Sequence, residues 1–224
     1  MSFAPGIVPA IWLWVFLPVY LACLGLAVSH ARWRQLKVAA DANVFFGACV
    51  ALWLLWQMRA TVDIWPGLEF HLLLLTAATL MFGWAFAFIA ASVAQAGLVL
   101  QGLDSAAGFP MAVTLNAGTA VLTTYLVHRA AREHLPRHFF VYVFVSCVLG
   151  GALAMLASRL AGMAMLVVCG AYSPETLVRG DFLLLLPLMM FPEAFVNGGL
   201  MTLLVAYRPE WVSSFLDRHY LKGK

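Results

Sequence analysis

Residues 70–84 read FHLLLLTAATLMFGW, an apolar run with an ionisable histidine near its start and a glycine near its end. As a helix, residues 71–82 would be about 18 Å long, well short of the ~30 Å hydrocarbon core of a bilayer. Residues 71–100 could therefore form one long tilted helix or two segments hinged near Gly83. Because glycine interrupts the run, the sequence favours the hinge, with a second segment over Trp84–Leu100.

The composition indicates the class of protein. Of the 224 residues, 64% are hydrophobic and 10% are charged, and the mean hydropathy is +0.93. Soluble domains are nearer half apolar and a quarter charged, so too few polar side chains remain here to cover a soluble core. We therefore predict an all-α, polytopic membrane protein in which residues 1–224 form a single transmembrane helical domain.

Apolar runs separated by charged residues, glycine or proline predict seven transmembrane segments. The predicted segments are residues 7–28, 43–58, 71–82, 84–100, 111–130, 139–169 and 182–207. The sixth is too long for one crossing, so we expect its inner end to project from the membrane or to bend.

The distribution of Lys and Arg predicts the orientation. Ten of the 13 basic side chains fall in the loops after the first and fifth segments and in the C-terminal tail. The opposite loops hold only Arg59 and Arg179, and Arg159 lies within a segment. The positive-inside rule then places the N-terminus outside and the C-terminus in the cytoplasm. One long helix over residues 71–100 would put the basic loop at residues 129–137 outside, so the charges also favour the hinge.

Two charged side chains, Arg159 and Glu193, lie deep in the predicted segments and at similar depths. A lone charge at the bilayer centre costs at least about 2.5–3.5 kcal/mol. We therefore predict an Arg159–Glu193 ion pair that faces the interior of the bundle, either as a structural lock or as part of a gate. Replacing both side chains by apolar ones should be tolerated better than Glu193→Gln alone, because the single change leaves the buried charge of Arg159 without its partner.

The loop at residues 101–118, QGLDSAAGFPMAVTLNAG, is too rich in glycine and alanine for a rigid lid and too apolar for a solvated tail. We expect it to fold back into the outer mouth of the bundle, where irregular backbone is tolerated if it lines a cavity. Asp104 and Asn116 would then border an outward-facing pocket with His71 at its edge. The spacing alone fits an interfacial histidine as well as a metal ligand, and both interpretations stay open.

The stretch FHLLLLTAATLMFGWAFAFIAASVAQAG, followed by a Gly/Asp loop and TLNAG, resembles the permeases of cobalt and nickel energy-coupling-factor transporters, the CbiM/NikM family. The family shows a histidine, a short apolar run, a turn, a helix ending in Gln-Ala, a Gly-Asp loop and an asparagine. The matching positions here, in the same order, are His71, Gly83-Trp84, Gln95-Ala96, Gly102-Leu103-Asp104 and Asn116. Near the end, PEAFVNGGLMTLLVAYRPE is similar to the family's last helix and closing Arg-Pro-Glu, so the resemblance covers residues 65–212.

The resemblance implies a substrate-capture subunit for uptake of a transition-metal cation, in the bacterial cytoplasmic (inner) membrane. Such a subunit lies in membrane lipid and works with a coupling membrane protein and cytoplasmic ATPase subunits, and no nucleic-acid partner is expected. The family holds its metal through the N-terminal amine, the amide and imidazole of a histidine at position 2, and a later imidazole. Carried over, Met1 would supply the amine and His71 the later imidazole, while Asn116 lies in the loop that covers the site. The metal is cargo, and no bound cofactor is expected.

The N-terminus departs from the family pattern, which begins Met-His-Ile-Pro-Asp/Glu-Gly where this chain begins MSFAPG. Ser2 removes one imidazole from a set of nitrogen ligands that suits Ni²⁺. Other side chains would have to replace it. The predicted metal-site residues are Met1, His71, Asn116 and Asp104, with Glu69 and Met111 as further donors.

The alternative is a non-transport membrane protein, an assembly or sensor subunit on the same fold that has lost its metal site, and Ser2 supports it. An enzyme is not expected, because H-E-x-x-H and G-x-S-x-G motifs are missing from the sequence. The G-x-x-x-x-G-K-[ST] motif is missing too, so ATP hydrolysis would have to come from another chain.

Overall fold

The computed structural model describes residues 2–61, 69–179 and 182–215, and these residues are mostly helical. The helices are α1 Ala10–His30, α2 Ala39–Gln57, α3 Leu75–Phe82, α4 Trp84–Leu100, α5 Phe109–His134, α6 Phe139–Val168, α7 Pro174–Arg179 and α8 Phe182–Tyr207. Two short strands, β1 Ala60–Thr61 and β2 Glu69–Phe70, pair antiparallel. Helices α5 and α6 each contain a π-helical stretch, Val113–Gly118 and Tyr142–Leu149.

The helices confirm an all-α, polytopic membrane protein. Among the described residues, five helices are long and apolar enough to cross a membrane: α1, α2, α5, α6 and α8. Helix α4 is a shorter apolar helix, and α3, about 12 Å long, cannot cross alone. The number of crossings and their orientation stay predictions.

The predicted break at Gly83 is confirmed. Helix α3 ends at Phe82 and α4 begins at Trp84, and Gly83 between them has a φ of 88°, a backbone angle that favours glycine. Leu74, directly before α3, also has a positive φ of 52°. Residues 71–74, predicted as part of the segment, are not helical. Helix α3 is therefore a short helix interrupted on both sides.

Helix α3 packs against α4, α5, α6 and α8, and its residues 75–80 are all buried. Its Thr76 hydroxyl forms a 2.8 Å hydrogen bond with the hydroxyl of Thr124 in α5. Around α3, α2 packs along α4, and α6 packs along both α5 and α8. The short helix is thus enclosed by the long ones.

Helix α8 satisfies the backbone amides at the N-terminal end of α3. The Glu193 carboxylate accepts hydrogen bonds from the amides of Leu73 and Leu74, each 2.7 Å long. The side-chain oxygen of Asn197, one turn further along α8, accepts a 2.8 Å hydrogen bond from the amide of Ala77. Side chains of another helix therefore supply the cap that the chain preceding α3 lacks.

The segment after α8 satisfies the other end of α3. The amides of Ser213 and Ser214 donate to the carbonyls of Met81 and Leu80 at 2.9 and 3.2 Å. With both ends paired inside the protein, a helix of 8 residues can lie in the interior of a membrane bundle.

The N-terminal segment before α1 folds into the bundle. Phe3 is completely buried, and the amides of Ile7 and Val8 donate to the carbonyl of Ala4, which closes a turn. Gly108, directly before α5, approaches the Phe3 carbonyl so closely that a Cβ at this position would overlap it. The glycine therefore leaves the space in which the N-terminal segment lies.

Candidate metal site around His71

His71 lies on the irregular segment between β2 and α3. The Trp56 indole of α2 donates a 3.1 Å hydrogen bond to the carbonyl of Leu73, and Glu193 of α8 accepts from the Leu73 amide. The ring centres of Trp56 and His71 are 5.7 Å apart. Side chains from two helices therefore fix the backbone that carries the imidazole.

The two ring nitrogens of His71 have different neighbours. Nδ1 lies 3.2 Å from the carbonyl oxygen of Leu72, and Nε2 lies 3.5 Å from the guanidinium Nη2 of Arg159. A carbonyl oxygen only accepts and a guanidinium only donates, so both contacts select the neutral ring with its proton on Nδ1. The lone pair of Nε2, the atom that a metal would use, therefore faces Arg159.

Arg159 reaches this segment from α6 and is fully buried. Its Nη1 donates a 3.0 Å hydrogen bond to the carbonyl of Glu69, and its Nε lies 3.4 Å from the sulfur of Met155. Both acceptors are uncharged. These contacts direct the guanidinium to the strand end and to His71.

The structure differs from the predicted direct ion pair between Arg159 and Glu193. Both side chains are buried, and their charges are close enough to attract each other, but among the described residues no direct salt bridge joins them. Glu193 uses its carboxylate on the Leu73 and Leu74 amides and on the side-chain amide of Asn197, 2.9 Å away. Unpaired amides at the start of a helix attract a carboxylate, which explains this choice of partners.

A second polar group, which we call the Asp104 network, consists of Ser2, Arg59, Glu69, Gln95 and Asp104. The Asp104 side chain is 3% exposed and accepts hydrogen bonds from the Ser2 hydroxyl at 2.8 Å and the Gln95 amide at 2.6 Å. Arg59 lies 3.0 Å from a carboxylate oxygen of Glu69 and 3.8 Å from one of Asp104. The loop that carries Asp104 thus folds onto the bundle, as predicted, and binds the N-terminal segment.

Three further residues were considered for the site: Met1, Asn116 and Met111. Met1 is outside the described residues. Asn116 lies in the π-helical stretch of α5 with its side chain buried. Met111 is completely buried in the apolar cluster that contains Phe3, which makes it a core residue.

His71 and Asp104 belong to two groups of contacts that meet at Glu69. The Glu69 carboxylate binds Arg59 of the Asp104 network, and its carbonyl binds Arg159 beside His71. Within the part of the chain that the structure describes, no three His, Cys, Asp or Glu side chains converge as metal ligands. The predicted ligand set also includes Met1 and Asn116, so it stays a prediction.

A cavity of about 430 Å³ opens beside His71. The sequence predicted a polar pocket at this place, but most of the lining side chains are apolar. They include Met58, Leu72, Met155, Leu188, Met189 and Pro192. The acidic side chains predicted for the pocket lie in the Asp104 network instead.

Several residues that hold the His71 segment and the Asp104 network in place were not predicted from the sequence. Asn197 had a usable signal, because it stands four residues after Glu193 and so on the same face of its helix. Arg59 was considered only as one of the basic residues in the loops, and not as a partner of Glu69 and Asp104. Trp56 gave no signal, since an aromatic residue near the end of an apolar helix is usual at a membrane interface.

Broken helices and buried charges that face the bundle interior are features of membrane transport proteins. The fold and the site define a multi-pass membrane protein that has both features. The chain belongs to the CbiM family, described as the cobalt uptake substrate-specific transmembrane region, whose model matches residues 3–211. The predicted family membership is confirmed, and the family is a transport component and not an enzyme. Searches of curated proteins and of solved structures gave no significant match.

Proposed function

We propose that this chain is the substrate-capture subunit of an energy-coupling-factor-type transporter that takes up a transition-metal cation across the bacterial inner membrane. The observation that carries the proposal is the imidazole of His71, held on the fixed irregular segment before α3 in a chain of the cobalt-uptake family. Because the chain has no nucleotide-binding motif, transport would need a coupling membrane protein and cytoplasmic ATPase subunits.

In this proposal the cation binds nitrogen and oxygen donors near the N-terminus. His71 Nε2 would supply imidazole, and Met1 would supply the N-terminal amine. The hydrogen bond from Ser2 to Asp104 supports this role for Met1, because it anchors the neighbouring residue to the bundle. Asp104 would add carboxylate oxygen, and Asn116 would belong to the covering loop. Imidazole and amine donors suit Co²⁺ and Ni²⁺.

The second candidate function is a non-transport assembly or sensor subunit without a metal site. Two observations favour it. The Ser2 hydroxyl takes part in a hydrogen bond with Asp104 where the family has an imidazole ligand. The positive charge of Arg159 lies beside His71 Nε2.

Uptake of radioactive cobalt separates the two functions. Cells that produce the chain together with its coupling and ATPase subunits should accumulate the metal. His71→Ala should lower the initial rate by about tenfold or more, since even residues that only orient a metal ligand contribute tenfold to a hundredfold.

The matched control is His134→Ala, which removes an exposed histidine at the end of α5 and should leave uptake unchanged. Equal uptake by the wild type and His71→Ala would contradict capture at His71. Absence of uptake by every form would favour the non-transport subunit.

A further inference from the structure

We infer that Arg159 is an internal cation that competes with the captured metal for His71 Nε2 and thereby limits the affinity of the site. The inference deepens the proposed function, on which it rests for the class of ligand, a divalent transition-metal cation. It makes Arg159 a residue that sets the affinity for the cation, in place of the ion-pair partner that the sequence predicted.

The guanidinium of Arg159 lies where a metal ion bound to His71 Nε2 would lie. A transition-metal ion binds an imidazole nitrogen at roughly 2.0–2.1 Å. Nη2 of Arg159 lies 3.5 Å from Nε2, on the side of the ring that carries the lone pair. The ion and the guanidinium therefore cannot both lie beside Nε2 at the same time.

The positive charge of Arg159 also opposes binding of a cation at His71. An arginine side chain stays protonated in proteins, and Arg159 is completely buried, so solvent does not screen it. Two positive charges a few ångströms apart repel each other far more strongly in a protein interior than in water. Wild-type His71 can therefore bind a divalent cation only weakly, or only after the guanidinium has moved away.

The contacts of the Arg159 guanidinium allow it to move away from His71. Its two other contacts, the Glu69 carbonyl and the Met155 sulfur, are neutral and give it no strong anchor. The Glu193 and Glu69 carboxylates attract it, but the first is bound to the Leu73 and Leu74 amides and the second to Arg59. A guanidinium displaced by metal would turn toward Glu193 and compete for the carboxylate that caps α3. Metal binding at His71 would thus loosen the start of the central helix.

The experiment is a Co²⁺ titration of the purified, full-length chain in detergent. Arg159→Gln removes the charge and keeps a neutral N–H donor near the position of Nε, so it should bind Co²⁺ at least about tenfold more tightly than the wild type, a change of ~1.4 kcal/mol. Arg159→Lys keeps the charge and is the matched control, expected to gain no affinity. The gain must disappear in Arg159→Gln/His71→Ala, because it depends on Nε2.

Two results would overturn the inference: Arg159→Gln that binds Co²⁺ no more tightly than the wild type, and a gain that survives without His71. If Arg159→Gln does not purify as a single species, Arg159→Met is titrated under the same criteria. The outcome is independent of the uptake assay. A gain in affinity without cobalt uptake would support competition by Arg159 and contradict the transport function. Cobalt uptake without a gain in affinity would support the transport function and contradict competition by Arg159.

Discussion

Glu193→Ala should destabilise the protein by about 3–5 kcal/mol, the loss expected when one member of a buried charged network is removed. The change leaves the amides of Leu73 and Leu74 without their acceptor, and the side-chain amide of Asn197 keeps only the main-chain carbonyl of residue 193. It also removes one of the two carboxylates, Glu193 and Glu69, that attract the buried charge of Arg159. Thermal melting of the purified protein in detergent measures the loss. Glu175→Gln, an exposed change in α7, is the control and should melt like the wild type.

The capping role of Glu193 also reverses an expectation from the sequence. If Glu193 served only as the counter-charge of Arg159, Arg159→Leu/Glu193→Leu would be milder than Glu193→Gln. In the structure the double change removes every acceptor for the Leu73 and Leu74 amides, whereas Gln keeps one side-chain oxygen. We therefore expect the double variant to melt at the lower temperature. A double variant that melts at or above Glu193→Gln would contradict the capping role.

Gly108→Ala is expected to displace the N-terminal segment from the bundle. The new Cβ would overlap the carbonyl of Phe3, although the backbone of Gly108 is right-handed helical and accepts alanine. Displacing Phe3 exposes a completely buried aromatic side chain, a loss of about 1.5–3 kcal/mol. Hydrogen exchange followed by mass spectrometry should show the amides of Ile7 and Val8 exchanging at least about tenfold faster.

The control for this change is Gly25→Ala in α1, because a Cβ at that position would meet no other atom within 4 Å. It should leave exchange in residues 2–9 unchanged. Exchange that is equally slow in Gly108→Ala would show that the segment adapts to the methyl group. The N-terminal segment would then not depend on the close approach to Gly108.

The sequence predicted the features that depend on one segment at a time. Gly83 marked the hinge because its backbone angle favours glycine, and the bounds of α4 follow from an uninterrupted apolar run. The start of α6 at Phe139 follows from the basic loop before it. The burial of Arg159 and Glu193 follows from the cost of placing a charge in lipid.

The contacts that define the site could not be predicted, because they depend on how helices are rotated against one another. Similar depths of Arg159 and Glu193 suggested a pair, but depth carries no information on which groups face each side chain. The amides that Glu193 binds are free only because the chain before α3 is not helical. The hydrogen bond from Ser2 to Asp104 joins residues 102 positions apart, and no local pattern indicates it.

The central claim is that His71 is a direct ligand of the captured cation, and X-ray absorption spectroscopy of the purified chain at saturating Co²⁺ tests it most directly. The account predicts a nitrogen and oxygen coordination shell with the outer-shell scattering of one imidazole, and loss of that imidazole signal in His71→Ala. The same spectrum from the wild type and His71→Ala would contradict it.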